Sequence, residues 1–201
     1  MSRLNTRRIR LAAGLFAATA MAATAGPAFA EMTQVTIGTN ATGTLYNQIG
    51  TAVAKVVKDE VGVPAAAQPF AGTSVYLPKL QRGDVELGLN SGLDSAIAFS
   101  GQDEYKQPLD NLRGAIMLTY AYYGMYAKAS SGLTTVAELK DKPVVMGYRA
   151  IASFDKVNNA ILGTAGMTPK DLDAQVVTGI PEAVRDIVDG RTMAAGTITG
   201  F

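Results

Sequence analysis

The chain has 201 residues, 48% hydrophobic and 17% charged, with 21 glycines, enough to bury a core and too ordinary for a disordered or fibrous protein. It contains neither cysteine nor histidine. Their absence excludes thiol nucleophiles, Ser-His-Asp triads, zinc sites built on His or Cys, disulfides and lipid attachment at a cysteine, so few common enzyme chemistries survive, and no cofactor or metal is expected.

The first thirty residues differ from the rest. Arg3, Arg7, Arg8 and Arg10 precede an uncharged stretch from Leu11 that ends in Gly26, Pro27 and the small-residue site Ala28-Phe29-Ala30. This reads as a secretory signal peptide over residues 1–30, cut after Ala30, and places the mature chain in the periplasm. The run Thr6 to Leu11 is similar to a twin-arginine signal, but Arg10 stands where that motif takes an apolar residue, so general secretion is expected. Removing the signal leaves 14 basic against 17 acidic residues, a mildly acidic chain with no footprint for nucleic acid. An exported chain without disulfides holds its fold by packing.

From Gln34 the pattern is strand, loop, helix: "QVTIG", a glycine-threonine loop, then Tyr46, Ile49, Val53, Val56, Val57 and Val61 at helical spacing, ended by Gly62. "AAAQPF" is a weak second strand. A helix follows with Thr73 or Ser74 as N-cap, Val75, Tyr76, Leu77 and Leu80 on its apolar side, and Pro78 in its first turns. "VELGLN" reads as a third strand and Ser91 to Phe99 as a short helix. After the polar insert "GQDEYKQPLDN", the run "LRGAIMLTYAYYGMYAKA" reads as two strands or one bent around Tyr120–Tyr123.

A second series of alternating strands and helices begins near Pro143: "PVVMG", "SFDKVNNAILGTAGM", "AQVVT", "PEAVRDIVDG" and "TMAAGTITG". Alternating βα units imply an α/β fold with mixed, mostly parallel sheets. Residues 31–120 are expected to form lobe one, and 121–201 lobe two with the crossing strands.

The order of "IGTNATGTLYNQIG", "GTSVYLPKLQRGDVELGLNSG", "NLRGAIMLTY", "SGLTTVAELKDKPVVMGYRAIASFDKVNNAILGTAGMT" and "IPEAVRDIVDGRTMAAG" resembles the TAXI-type extracytoplasmic solute receptors of tripartite ATP-independent periplasmic (TRAP) transporters. The resemblance implies a periplasmic-binding-protein-like fold of two α/β lobes closing on a small anionic solute, an amino acid or organic carboxylate. It implies membrane permease subunits as partners, a monomer, and no catalysis. Family chains continue past the last strand seen here, so the resemblance implies a C-terminally truncated fragment whose second lobe is incomplete. At 147–153 "GYRAIAS" stands where relatives carry glycine, serine and threonine.

Within that frame, Gly38, Thr39, Asn40, Gly43 and Thr44, with Tyr46 at the end of the loop, are candidates to wrap a carboxylate at a helix N-terminus. A tight βα turn with a threonine cap is the alternative. Gly72, Thr73 and Ser74 sit at the next strand-to-helix junction and would face the same cleft, or simply cap. Asn90 and Ser91 occupy the third junction, where Asp94 reads as a first-turn carboxylate favoured by the helix dipole. Tyr122 is a candidate from the tyrosine-rich run, and Arg149 and Ser153 from the lobe-two loop, Arg149 as a bidentate carboxylate clamp or a solvated surface residue. Asp103-Glu104 and Asp171/Asp173 read as solvated loop charges. The rival functions are a receptor for an ATP-driven importer, an exported α/β enzyme, and a ligand sensor without transport.

Overall fold

A computed structural model describes residues 33–199; the expected signal peptide and its cleavage site lie outside them. Strand β1 (Val35–Thr39) buries Val35 and Ile37 and leads through a turn into helix α1 (Leu45–Val56), which runs on as a π turn over Val57–Val61 and stops at Gly62, φ 76°. A left-handed residue at a helix end is where glycine is favoured. Strand β2 (Ala65–Pro69) leads to α2 (Thr73–Arg82), where Pro78 removes the amide that would otherwise bond the Ser74 carbonyl. Strand β3 is only Leu87–Gly88, shorter than "VELGLN" suggests, and α3 (Gly92–Ser100) follows. The three strands form a parallel sheet in the order β2-β1-β3.

The tyrosine-rich run yields one strand, β4 (Tyr122–Ala127), after an irregular stretch that joins no described ladder. Ile116 and Met117 of that stretch are 76% and 71% exposed, and a cavity of about 210 Å³ opens between it and β3, lined by Leu77, Leu87, Leu112, Ile116 and Leu118 among others. Strand β5 (Pro143–Tyr148) is buried from Val144 onward and precedes α4 (Ala152–Gly163), β6 (Asp173–Val177), α5 (Ile180–Asp189) and β7 (Ala194–Thr199). These strands make a four-stranded sheet in the order β4-β7-β5-β6, antiparallel only between β4 and β7. The observed α/β architecture with mixed, mostly parallel sheets is the one expected.

Each sheet has its own core. Ile37, Tyr76, Leu77 and Ile97 fill the three-stranded side; Val144, Val145, Phe154 and Leu162 fill the four-stranded side. Burying one such side chain is worth about 1.5–3 kcal/mol. Tyr123 and Tyr148 both pack edge-on against Phe154, ring centroids 4.9 Å apart in each pair. Polar closure is supplied by Asn158, which donates to the Met146 carbonyl at 2.9 Å and accepts from the Tyr123 hydroxyl at 2.9 Å. Among the described residues no helix is long and apolar enough to cross a membrane.

Candidate functional site

The C-terminal ends of parallel strands point their carbonyls toward the following loops, and the helices that start there present free amides; ligands collect at such edges in open α/β sheets. Here Gly38, Thr39 and Asn40 end β1 and are all buried. Thr39 Oγ1 donates to the Asn40 carbonyl at 3.0 Å and accepts from Asn47 Nδ2 at 3.1 Å. Asn47 Oδ1 in turn accepts from the Gly43 amide at 3.3 Å, and Gln48 Nε2 donates to the Gly43 carbonyl at 3.1 Å. Thr44 occupies the N-cap position of α1, but its hydroxyl donates to the Ala41 carbonyl at 2.7 Å and makes no cap bond. The loop is therefore stitched from within by the first turn of α1, as a tight turn would be. The α1 amides are left without a side-chain cap.

Glycine has two different roles in this loop. Gly43 sits at φ 85° with open space around a would-be Cβ, so its backbone conformation, not crowding, demands glycine. At Gly38 a Cβ would come 2.9 Å from Tyr76 Cδ2, so close packing demands it. Tyr46 is buried, and its hydroxyl is pushed up to about 12 by burial first and by the Asp94 carboxylate second.

Gly72 and Ser74 are pressed directly against the four-stranded side, with the buried Thr73 between them in sequence. The Ser74 amide donates to the Ala150 carbonyl at 3.0 Å, and the Ala152 amide donates to Ser74 Oγ at 3.3 Å. Ser74 thus supplies to α4 the N-terminal cap that its own N-cap residue, Ile151, has no side chain to give. Ser74 Oγ also donates to Glu104 Oε1. A second backbone approach flanks the first: a Cβ on Gly179 would lie 2.8 Å from the Ala71 carbonyl oxygen. Thr73 is fully buried, yet its Oγ1 has no hydrogen-bond partner among the described residues; the same holds for Oδ1 of Asn40, 1% exposed. Buried polar atoms without partners are uncommon in folded proteins, and Thr192 Oγ1 and Thr197 Oγ1 on the four-stranded side are two more.

At the third junction Ser91 Oγ accepts from the Asp94 amide at 3.0 Å and donates to Asp94 Oδ2 at 2.7 Å. Asn90 Nδ2 donates to the Ser91 carbonyl at 3.1 Å and to Ser95 Oγ. Helix capping accounts for Ser91, Asn90 is tied to the same first turn as a donor, and Asp94 takes the first-turn place expected for it. Tyr122 lies on β4 opposite Thr199 and is largely exposed. Ser153 is buried in the first turn of α4.

Arg149 is exposed, its amide donating to the Val177 carbonyl at 3.0 Å, and it lines a recess of about 370 Å³ with Asp103, Glu104, Tyr148, Asp155 and Lys156. Lys156 Nζ lies 3.1 Å from Asp103 Oδ2. The Asp155 carboxyl is held above its ordinary range, mainly by burial, with the Glu104 and Asp103 charges adding to the rise and the Tyr148 amide and Lys156 opposing it. The recess therefore sets two cations against three carboxylates. Asp103 and Glu104, read from sequence as solvated loop charges, are both exposed; Asp103 in addition bridges the two sides through Lys156, and Glu104 accepts from Ser74 on its own side. Sequence spacing carried no signal for this, since Glu104 meets Ser74 across 30 residues. Among the described residues no group of acids could hold a metal ion.

Two sheets of βα units, meeting through helix N-termini at the strand ends, define a periplasmic-binding-protein-like α/β fold. Residues 37–201 match the NMT1-like family, and the chain belongs to it. Among solved structures it is similar to the alkanesulfonate-binding protein SsuA from Xanthomonas axonopodis pv. citri bound to MOPS, at 16% identity and a TM-score of 0.54 over 81% of this chain and 53% of that one. PhnD1 from Prochlorococcus marinus in complex with methylphosphonate matches at 13% identity and a TM-score of 0.56, over 82% of this chain and 63% of that one. The amino acid ABC transporter substrate-binding protein AbpA from Streptococcus pneumoniae bound to L-arginine gives 13% identity and a TM-score of 0.56, over 83% of this chain and 68% of that one. The chain thus spans between about half and two thirds of the length of these structures. No curated protein sequence matches it.

Proposed function

We propose that this protein captures a small carboxylate, an amino acid or organic acid, in the periplasm and hands it to the permease of an ion-gradient-driven TRAP transporter as a monomeric, non-catalytic receptor. The observation that carries the reading is the meeting of Gly72–Ser74 with Ala150–Ala152, where the N-termini of α2 and α4 converge from the two sides of the fold. Helix N-termini favour negative charge. Thr73 Oγ1 and Asn40 Oδ1, buried near the strand ends with no partner among the described residues, are polar groups that a solute at this edge could engage. Residues 31–120 and 121–201 then act as two lobes whose closure is driven by tighter binding in the closed state.

Under this reading Gly38, Thr39, Asn40, Gly43, Thr44, Tyr46, Gly72, Thr73 and Ser74 contribute from lobe one, with Asn90 and Ser91 at its rim. Tyr122, Arg149 and Ser153 contribute from lobe two. Export with removal of residues 1–30 belongs to the same proposal. Calorimetric titration of the purified full-length protein with L-glutamate, glutarate and acetate tests it: a dissociation constant on the order of 1 μM, about 8 kcal/mol, for one of the first two supports the reading, and no heat from any carboxylate refutes it.

A second reading, a receptor for an ATP-driven importer, rests on the likeness to the binding proteins named above, one of them the substrate-binding protein of an amino acid ABC transporter. The permease genes adjoining its own decide between the two.

A further inference from the structure

We propose that Glu104 is an internal stand-in for the anionic solute: its exposed carboxylate accepts from the Ser74 hydroxyl beside two converging helix N-termini, and a solute carboxylate must displace it. This inference rests on the capture reading above and adds a residue that sets the affinity of that site.

The geometry is a relay through one hydroxyl. Ser74 lies in the first turn of α2, a helix of ten residues, and its hydroxyl proton goes to Glu104 Oε1. Ser74 Oγ itself accepts from the amide of Ala152, the first of the twelve residues of α4. Glu104 thus neutralises, through Ser74, the positive ends of both helices. A hydroxyl that donates to a carboxylate is a better acceptor in turn, because hydrogen bonds in series polarise one another. Glu104 also lines the recess that holds Arg149, the candidate clamp for a solute carboxylate. In that recess Lys156 is engaged by Asp103, and Asp155 adds a third negative group. An incoming anion therefore meets a site already carrying carboxylates of its own.

Two consequences distinguish a stand-in from an ordinary surface acid. Removing its charge without changing its shape should tighten anion binding, whereas removing a true ligand contact would weaken it. The effect should also pass through Ser74, whereas a long-range charge effect would not.

The test compares the full-length protein with Glu104→Gln, Ser74→Ala and the double variant, titrating each with L-glutamate and glutarate at fixed ionic strength. Hydrogen exchange of the 150–156 segment is read in parallel without ligand. The expected result is a three- to tenfold tighter dissociation constant for Glu104→Gln, faster exchange at Ala152, and loss of most of the Glu104→Gln gain in the Ser74→Ala background. Unchanged or weaker binding by Glu104→Gln overturns the assignment, as does a gain that persists at full size without the Ser74 hydroxyl. If neither carboxylate binds to any of the four proteins, the capture reading itself falls and this inference falls with it.

Discussion

Gly72 and Ala150 approach each other so closely that a Cβ on Gly72 would sit 2.2 Å from the Ala150 carbonyl oxygen and 2.6 Å from Ile151 Cγ1. Backbone meets backbone there, and no rotamer change can make room. Gly72→Ala should therefore hold the two sides apart by on the order of 1 Å and weaken solute binding at least tenfold, about 1.4 kcal/mol, while each core stays intact. Small-angle scattering and titration check it: an unchanged profile with wild-type affinity would show that this contact is not part of the working state.

Gly196 presents the same kind of constraint inside one core. A Cβ on it would fall 1.7 Å from Asn158 Oδ1 and 2.9 Å from the Tyr123 hydroxyl. Asn158 is fully buried and fixed by Met146 and Tyr123, so it cannot yield without losing a buried hydrogen bond. Gly196→Ala should cost about 1–3 kcal/mol, read as a lower urea midpoint with unchanged slope. A midpoint equal to wild type would contradict the packing described.

Gly43 should behave differently, because its would-be Cβ faces open space. Gly43→Ala should cost about 1 kcal/mol through its positive φ alone. Gly43→Val should cost more, since a β-branched residue is worse there, without blocking the site by bulk. Denaturation midpoints of the two variants separate this strain from crowding.

Asp155 gives a pH dependence with a definite sign. Its carboxyl is raised above the ordinary 3.8, chiefly by burial and then by neighbouring acids against the Tyr148 amide and Lys156. A folded-state value above the unfolded one means the folded chain holds that proton more tightly, so this residue's contribution to stability falls as pH rises from below 3.8 through the raised value. Asp155→Asn, whose side-chain oxygen can still accept from the Tyr148 amide, should gain on wild type between pH 3 and pH 7. Urea unfolding at both values checks the trend, and a gain that shrinks with rising pH would contradict it.

The sequence pattern revealed the fold more readily than the site. Apolar spacing marked α1 from Tyr46 onward, and Gly62 marked its end, because helix periodicity and the cost of left-handed backbone are local properties. The strand expected at "VELGLN" shrank to Leu87–Gly88, since ladder pairing depends on neighbours remote in sequence. Ser91 caps its own helix through Asp94, three residues on, a contact local in sequence. Ser74 caps a helix 78 residues away, and Glu104 reaches it over 30; nothing local to either residue encodes that meeting.

Native mass spectrometry of the purified full-length protein, before and after addition of a mixture of small carboxylic acids, tests the central claim most directly. The account predicts a one-to-one complex with a small carboxylic acid that dissociates on denaturation and is weakened by Gly72→Ala. A protein that retains no carboxylate at any added concentration, while holding a neutral or cationic solute one-to-one, would contradict it.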